Sequence, residues 1–308
     1  MSPAILPLSA GSIVHNHNHN HDNTKRESRT IQTSLKYWRK PAKRVTGEVV
    51  SIDFRKPDAE HLFDELQTLE EDYPVIIRDI RGNGQKNGHF TLQTNGFQYI
   101  HDPVPEYDER WDEKRIARFF LPRTEELVRR LLTGTSKVLL YMHRIRCHHT
   151  GPRSPAHIVH ADFTPSGALQ HLKTLISPAE LAHIQENANT RILALNIWRP
   201  LHTVTRDPLA LCDWASINPE EDIIPNRFVF SDGWLEVAKV AYSTRHRWWY
   251  CSSQSPDEVV VFKQFDSAEE GGGGGGASVV HSAFVDPESV DGEPRRSLEA
   301  GVFVFIPL

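Results

Sequence analysis

Short apolar runs separated by turn residues dominate the second half of the chain. The runs are rich in β-branched and aromatic residues, which favours strands over helices. Many short strands in succession are typical of a sandwich, a barrel or a jelly roll. The pattern predicts strands at residues 137–142, 157–160, 191–198, 228–230, 234–242, 259–265, 279–284 and 301–306.

Helical spacing occurs mainly upstream of these strands. Residues 58–72 carry leucines on one face, and a short apolar strand follows at 75–77. A longer helix is predicted over 112–132, where Pro122 should break or kink it. A further helical insert is predicted at 178–189 between two strands. We expect the upstream helices to buttress one sheet of a mainly β fold.

The same pattern divides the chain into a leader and one domain. Residues 1–30 are polar and biased in composition, and we predict that they are disordered. The rest, 31–308, is predicted to be a single domain. Within it, 31–150 forms a helical and β N-terminal elaboration, and 151–308 forms the β core.

Two low-complexity segments lie outside the periodic pattern. In the leader, four histidines alternate with asparagine, a composition that can scavenge metal ions but is also typical of disorder, which we favour. They are His15, His17, His19 and His21. The six glycines at 271–276 lack the spacing of a phosphate-binding loop, so we interpret them as a flexible surface loop.

Charge and composition argue against several classes of function. The 308 residues carry a net charge of −5, which gives no reason to expect attraction to nucleic acid or to an anionic membrane. No apolar run approaches the roughly 20 residues that span a bilayer, so a cytoplasmic protein is expected. The three cysteines are scattered and odd in number, which argues against a disulfide scaffold and a zinc ribbon.

The first candidate for chemistry is an HxD motif. His160 and Asp162 follow the apolar pair Ile158 and Val159. In an extended segment, residues two apart point to the same side, so both side chains can converge on one ion. An imidazole and a carboxylate are two thirds of the facial triad that binds non-haem iron(II). By itself the motif is common enough to arise by chance.

Two later segments strengthen this hypothesis. His281 lies in another β-like run and could supply the third ligand, although a lone histidine in a strand is more often structural. Arg295 and Ser297 begin the terminal strand and share a face. A guanidinium beside a hydroxyl suits a carboxylate, such as the distal carboxylate of 2-oxoglutarate. The alternative is an exposed basic turn after Pro294.

Several stretches together resemble a fungal hydroxylase/desaturase family that includes gibberellin-desaturase-like and cephalosporin-methoxylation-related proteins. The segment NIWRPL at 196–201 resembles the NxWRP stretch of that family. The resemblance covers roughly residues 35–308 and is strong from 155 onward. It departs from the family in two places: Ala300 and Gly301 stand where relatives often carry an arginine after the Ser-x-Glu, and the glycine run before His281 is unusual. Other matching stretches lie at 207–210, 212–213, 246–250, 255–258, 263–267, 281–284 and 294–299.

The resemblance implies a double-stranded β-helix, or jelly roll, and an oxidoreductase that uses iron(II), 2-oxoglutarate and dioxygen. Its ligands would be His160, Asp162 and His281, with Arg295 and Ser297 binding 2-oxoglutarate. Four more residues could line the cosubstrate or substrate pocket, although Arg199 could equally be the partner in a structural ion pair. These four are Asn196, Arg199, Tyr242 and Lys263.

The implied reaction is hydroxylation or desaturation of a small-molecule secondary metabolite. Two other classes stay open at this point. A jelly roll could bind a metal or ligand without catalysis, because the same three side chains can hold a redox-silent ion. A methyltransferase-like tailoring enzyme is the other alternative, although no acidic-glycine loop after a parallel strand is visible. The sequence does not predict the oligomeric state.

Overall fold

The computed structural model describes residues 29–39, 49–81, 90–147, 153–186, 190–269 and 278–308. The histidine tract and the glycine run lie outside the described residues, as does nearly all of the predicted leader. The leader prediction extends one residue too far, because Thr30 begins the first strand. No helix of the described residues is long and apolar enough to cross a membrane.

The described residues are mainly strands, which are numbered here in chain order. The strands are β1 Thr30–Trp38, β2 Val50–Asp53, β3 Glu70–Asp79, β4 Phe97–His101, β5 Lys137–Arg146, β6 His160–Ala161, β7 Thr190–Pro200, β8 Leu209–Cys212, β9 Ile223–Phe230, β10 Gly233–Val240, β11 Trp248–Tyr250, β12 Glu258–Asp266, β13 His281–Ala283 and β14 Ser297–Pro307. The helices are α1 Ala59–Gln67, α2 Glu113–Leu131, α3 Pro165–Leu175, α4 Pro178–Glu186 and α5 Pro219–Asp222, with 3-10 turns at Trp214–Ser216 and Ser267–Glu269.

These strands form two sheets. A nine-stranded sheet has the order β1-β3-β11-β8-β13-β6-β10-β9-β2, and a five-stranded sheet has the order β4-β12-β7-β14-β5. The inner faces pack together, since Leu209 and Leu211 of β8 share one buried cluster with Trp198 of β7 and Phe262 of β12. This two-sheet arrangement confirms the predicted jelly-roll core.

Helix α2 covers the outer face of the five-stranded sheet. Its N-cap Asp112 accepts a hydrogen bond from the backbone N–H of Arg115, and its buried Leu127 and Val128 pack on the apolar outer residues of that sheet. The expected break at Pro122 is absent, because the helix continues through this residue to Leu131. Packing over the whole length of the helix outweighs the backbone hydrogen bond that proline cannot make.

The N-terminal region contains more strand than the sequence pattern predicts. The helix predicted over 58–72 ends at Gln67, because residues from Glu70 onward form β3. Strand β3 pairs antiparallel with β1. The sequence pattern predicted a strand at 75–77, within β3, but none at β1. Leu66 and Leu69, expected on a single helix face, both pack beside Trp38 at the end of β1. Pairing with a distant strand therefore overrides the local helical spacing.

Candidate active site

Three potential metal ligands meet on the inner face of the nine-stranded sheet. Strands β6 and β13 are antiparallel neighbours, and their register sets His281 directly opposite His160. The Nε2 atom of His160 lies 3.8 Å from Oδ1 of Asp162, and Nε2 of His281 lies 3.8 Å from Oδ2 of the same carboxylate. One ligand atom from each of the three residues lies within 4.8 Å of the others. This spacing allows all three to contact one ion.

Hydrogen bonds select the tautomer of both imidazoles. The Nδ1 atom of His160 lies 2.8 Å from the carbonyl oxygen of Ile158, and Nδ1 of His281 lies 3.0 Å from that of Val279. A carbonyl oxygen only accepts, so Nδ1 carries the proton in each ring. Each Nε2 lone pair is therefore directed away from the backbone and is available to a metal.

Burial favours the neutral form of His160. It lowers the pKa of His160 to about 4, and the neighbouring imidazole of His281 acts in the same direction. Burial alone would raise the pKa of Asp162, but the two histidines and a hydrogen bond from Asn196 outweigh it, so the pKa of this carboxyl is lowered. A neutral imidazole at His160 and an ionised carboxyl at Asp162 are the protonation states that metal binding requires.

A buried cation lies in the space between the sheets. Arg295 is 2% exposed, its Nη1 donates to the carbonyl oxygen of Asp207 at 2.7 Å, and its guanidinium lies over the Trp198 ring. The left-handed backbone of Asp207, with φ of 51°, is rare for a residue with a side chain. Burial lowers the pKa of Arg295 to about 10, so it remains charged at neutral pH.

This cation has unused hydrogen-bonding capacity. The Nε atom of Arg295 and the hydroxyl of Ser297 are buried, and neither has a hydrogen-bond partner among the residues that the structure describes. Buried polar groups are nearly always paired in native proteins. The side-chain carbonyl of Asn196 and the indole N–H of Trp198, both on the adjacent strand β7, are unpaired within the same described set. The arrangement fits a polar ligand with an anionic end.

Comparison with known proteins identifies relatives of this chain. A family model described as "YDMC: Oxidoreductase/YMDC permease-like domain" matches residues 35–305. The hydroxylase/desaturase efuI of Hormonema carpetanum is 30% identical over 308 residues, which cover 91% of this chain and 96% of efuI. The alpha-ketoglutarate-dependent dioxygenase tstK of Talaromyces stipitatus is 28% identical over 75% of this chain and 84% of its own length.

The chain belongs to the fungal hydroxylase/desaturase family of iron(II)- and 2-oxoglutarate-dependent oxygenases. The resemblance inferred from the sequence is thereby confirmed. A solved structure of the iron and alpha-ketoglutarate-dependent endoperoxidase NvfI has a TM-score of 0.71 at 24% identity, covering 92% of this chain and all of that one, and it supports the same fold.

In this oxygenase, three of the four additional pocket candidates lie away from the histidine pair. The side chain of Arg199 points to the outer face of β7, where it forms an ion pair with Asp102 and lies over the ring of Phe120 in α2. Its neighbour Trp198 takes the inner face, because successive side chains of a strand alternate. Arg199 is therefore the partner of Asp102 in a buried ion pair.

Tyr242 and Lys263 also face away from the histidine pair. Tyr242 packs in the buried cluster that contains Ala161 and Val280, and these two residues alternate with His160 and His281 along their strands. Tyr242 therefore lies on the opposite face of the nine-stranded sheet.

Lys263 follows Phe262, whose ring centroid lies 4.9 Å from that of His281. Its ammonium instead points to the outer side, 3.3 Å from Oδ2 of Asp266. Of the four candidates, only Asn196 reaches the site.

Two contacts to this site were missed by sequence reasoning. Gln264 donates from its amide nitrogen to Oδ2 of Asp162, and Tyr141 donates from its hydroxyl to the amide oxygen of Gln264. Gln264 lies in the stretch 263–267 that carries the family resemblance, which was an available signal. Its neighbour Lys263 was named from the sequence instead, and the strand pairing is irregular between Lys263 and Phe265.

Proposed function

We propose that this chain binds iron(II) and 2-oxoglutarate at this site and uses dioxygen to hydroxylate or desaturate a small-molecule secondary metabolite. The observation that carries the proposal is one arrangement within the jelly roll. Two histidines and a carboxylate converge on one point, and a buried, incompletely paired arginine lies just before the first residue of β14 in the facing sheet. The curated relatives named above as hydroxylase/desaturase and dioxygenase support it.

The donor set fits iron(II). Two imidazoles and one carboxylate form the facial triad of non-haem iron oxygenases, which leaves coordination positions for other ligands. His160, Asp162 and His281 would hold the metal. Of these, Asp162 has the most exposed side chain, at 30%, and His281 the least, at 9%. The metal would therefore be approached from the side of the carboxylate.

The unpaired donors fit 2-oxoglutarate. Its distal carboxylate can accept from Nε of Arg295 and from the hydroxyl of Ser297, which satisfies both buried groups. The permanent charge of Arg295 would favour a dianionic cosubstrate over neutral competitors. Asn196 and Trp198 would contribute further polar contacts on the adjacent strand.

When bound, iron(II), 2-oxoglutarate and dioxygen supply the oxidising power needed to break an unactivated C–H bond. The protein binds and orients the reactants. The backbone carbonyls of Ile158 and Val279 hold the imidazoles in the correct tautomer, Asn196 and Gln264 hold the carboxylate, and Phe262 covers one side of His281. The apolar cluster between the sheets limits access of water.

Oxygen uptake tests the activity. The purified protein with iron(II) and 2-oxoglutarate should consume oxygen and form succinate, and addition of the substrate should accelerate both. Alanine variants of His160, Asp162 and His281 should each lose this turnover. If these variants keep normal turnover, the site assignment is wrong. Metal binding without oxygen uptake under any condition would favour the non-catalytic jelly roll.

The reaction type requires the natural substrate. Extracts of a strain that lacks the gene should contain an accumulated precursor that is absent from the parent strain. A precursor that lacks one oxygen atom relative to the missing product indicates hydroxylation, whereas two extra hydrogen atoms indicate desaturation. Feeding the precursor to the purified enzyme then measures the reaction directly.

A further inference from the structure

A chain of hydrogen bonds leads from the five-stranded sheet to the carboxylate of the histidine pair. The hydroxyl of Tyr141 on β5 donates to the amide oxygen of Gln264 on β12, and the amide nitrogen of Gln264 donates to Oδ2 of Asp162. Gln264 is 1% exposed, so water does not compete for these bonds. Asp162 follows β6 in the other sheet, so the chain joins the two layers across the site.

Two irregularities in the strands create this geometry. The pairing of β12 with β7 shifts between Lys263 and Phe265, which leaves Gln264 without a partner in the ladder. The pairing of β14 with β5 shifts between Gly301 and Val302, which leaves Tyr141 in the same position on its own strand. A β-bulge redirects a side chain, and such features are frequent beside active sites.

Gly301 provides the room that Tyr141 needs. A Cβ atom at this position would lie 2.4 Å from Cζ of the Tyr141 ring, closer than any real contact. Every other residue type would therefore displace the ring and its hydroxyl. A glycine at position 301 therefore leaves the space in which Tyr141 makes its hydrogen bond.

The tyrosine determines which way the glutamine amide points. An amide has a donor end and an acceptor end, and a reversed amide would turn its carbonyl oxygen toward the negatively charged Asp162. Burial raises the pKa of Tyr141 well above its ordinary value, and the charges of Asp162 and Glu299 act in the same direction. The phenol thus remains a donor and holds the amide oxygen on its own side.

We propose that Gln264, oriented by Tyr141, is a positioning residue that fixes the rotamer of Asp162 for metal binding. This inference rests on the proposed function, because it assumes that Asp162 binds the metal. Hydrogen bonds to a coordinating carboxylate are part of the metal site, and their loss typically weakens metal binding by about 10–100-fold. Neither residue is expected to contact the metal itself.

Manganese(II) binding to the metal-free protein tests the proposal without turnover. Binding can be followed by the loss of the electron paramagnetic resonance signal of the free ion. We expect Gln264→Met, which keeps the side-chain length but removes the donor, to raise the manganese dissociation constant by about 10–100-fold. Tyr141→Phe removes one neutral hydrogen bond and should raise it by about 2–10-fold.

A double variant and a matched control separate positioning from loss of stability. If Tyr141 acts through Gln264, Tyr141→Phe should have no further effect on manganese affinity in the Gln264→Met background. Tyr99→Phe is the control, because Tyr99 is also buried and its hydroxyl has no partner within the described residues. This change should leave manganese affinity unaltered. The unfolding temperature of each metal-free variant shows whether it is folded.

The outcomes distinguish this inference from the proposed function. Manganese binding that is unchanged in folded Gln264→Met, while Asp162→Ala abolishes it, overturns the positioning role and leaves the metal site intact. Additive effects of the two changes overturn the role of Tyr141. If Asp162→Ala binds manganese as well as the natural protein does, the metal site and this inference are both wrong.

Discussion

His160 and His281 face each other across a single antiparallel pairing, with ring centroids 4.3 Å apart. Their Nδ1 atoms both bond to the backbone two residues earlier, so their Nε2 atoms converge on the same carboxylate. Sheet register thus creates the site, because the two histidines come from distant parts of the chain. The two imidazoles are therefore already placed to share one ion.

Metal binding should stabilise the folded protein. A ligand that binds only the native state adds about 2.7 kcal/mol to the free energy of unfolding when its concentration is 100 times its dissociation constant. Thermal unfolding with and without manganese(II) should show this gain, and a chelator should remove it. Asp162→Ala should unfold at the same temperature under both conditions. His157→Ala changes a more exposed histidine paired with Asp207 and should keep the full response.

Arg295 should control the affinity for 2-oxoglutarate. Arg295→Met removes the buried cation whose Nε has no partner in the described part of the chain. Charge-assisted hydrogen bonds contribute about 1.5–3 kcal/mol each, so the KM for 2-oxoglutarate should rise by at least about 10-fold. Ser297→Ala should have a smaller effect in the same direction. Steady-state kinetics with varied 2-oxoglutarate measure both, and an unchanged KM in Arg295→Met would contradict the assigned role.

The sequence predicted those side chains whose position depends on local alternation. Alternation paired His160 with Asp162 and Arg295 with Ser297, although Asp162 lies just after β6 and Arg295 lies two residues before β14. Most of the strands predicted after residue 136 are present. The β-rich pattern, together with the family resemblance, was sufficient for the jelly roll because repeated short strands leave few alternative architectures.

Features that depend on long-range pairing could not be predicted. Strand β1 is paired with β3; Ile31, Leu35 and Tyr37 alternate with polar residues, but this alternation does not indicate β3 as the partner. The contact of Gln264 with Asp162 joins the two sheets, and the local pattern indicates neither this contact nor the irregular pairing between Lys263 and Phe265. The contact of Arg199 with Asp102 joins residues 97 apart, and nothing in the local pattern around either residue indicates it.

The ion pair of Arg199 with Asp102 should affect stability and not cosubstrate binding. Arg199 is 4% exposed and Asp102 also accepts from Arg130, so Arg199→Met leaves a largely buried carboxylate with one partner fewer. Loss of one partner of a buried pair typically costs about 3–5 kcal/mol. Urea unfolding should show this decrease, while the KM for 2-oxoglutarate stays unchanged. A large rise in the KM for 2-oxoglutarate in the folded variant would show that Arg199 contributes to cosubstrate binding.

The carboxyl of Asp266 should make stability depend on pH. Burial alone would raise its pKa, but hydrogen bonds from Arg191 and the charge of Lys263 outweigh burial, so the pKa of Asp266 in the folded protein is lowered. A depressed folded-state pKa means that the stabilising contribution is complete above the unfolded value of about 3.9 and is lost as the pH falls below it.

Asp266→Asn should therefore be less stable than the natural protein by about 3 kcal/mol at neutral pH, and the difference should shrink below about pH 4. Urea unfolding of the metal-free proteins at several pH values measures this difference. Asp53→Asn is the control, because Asp53 pairs with Arg55 at the exposed surface and should show a much smaller difference. A difference for Asp266→Asn that stays constant from neutral to acidic pH would show that its ion pairs do not stabilise the fold.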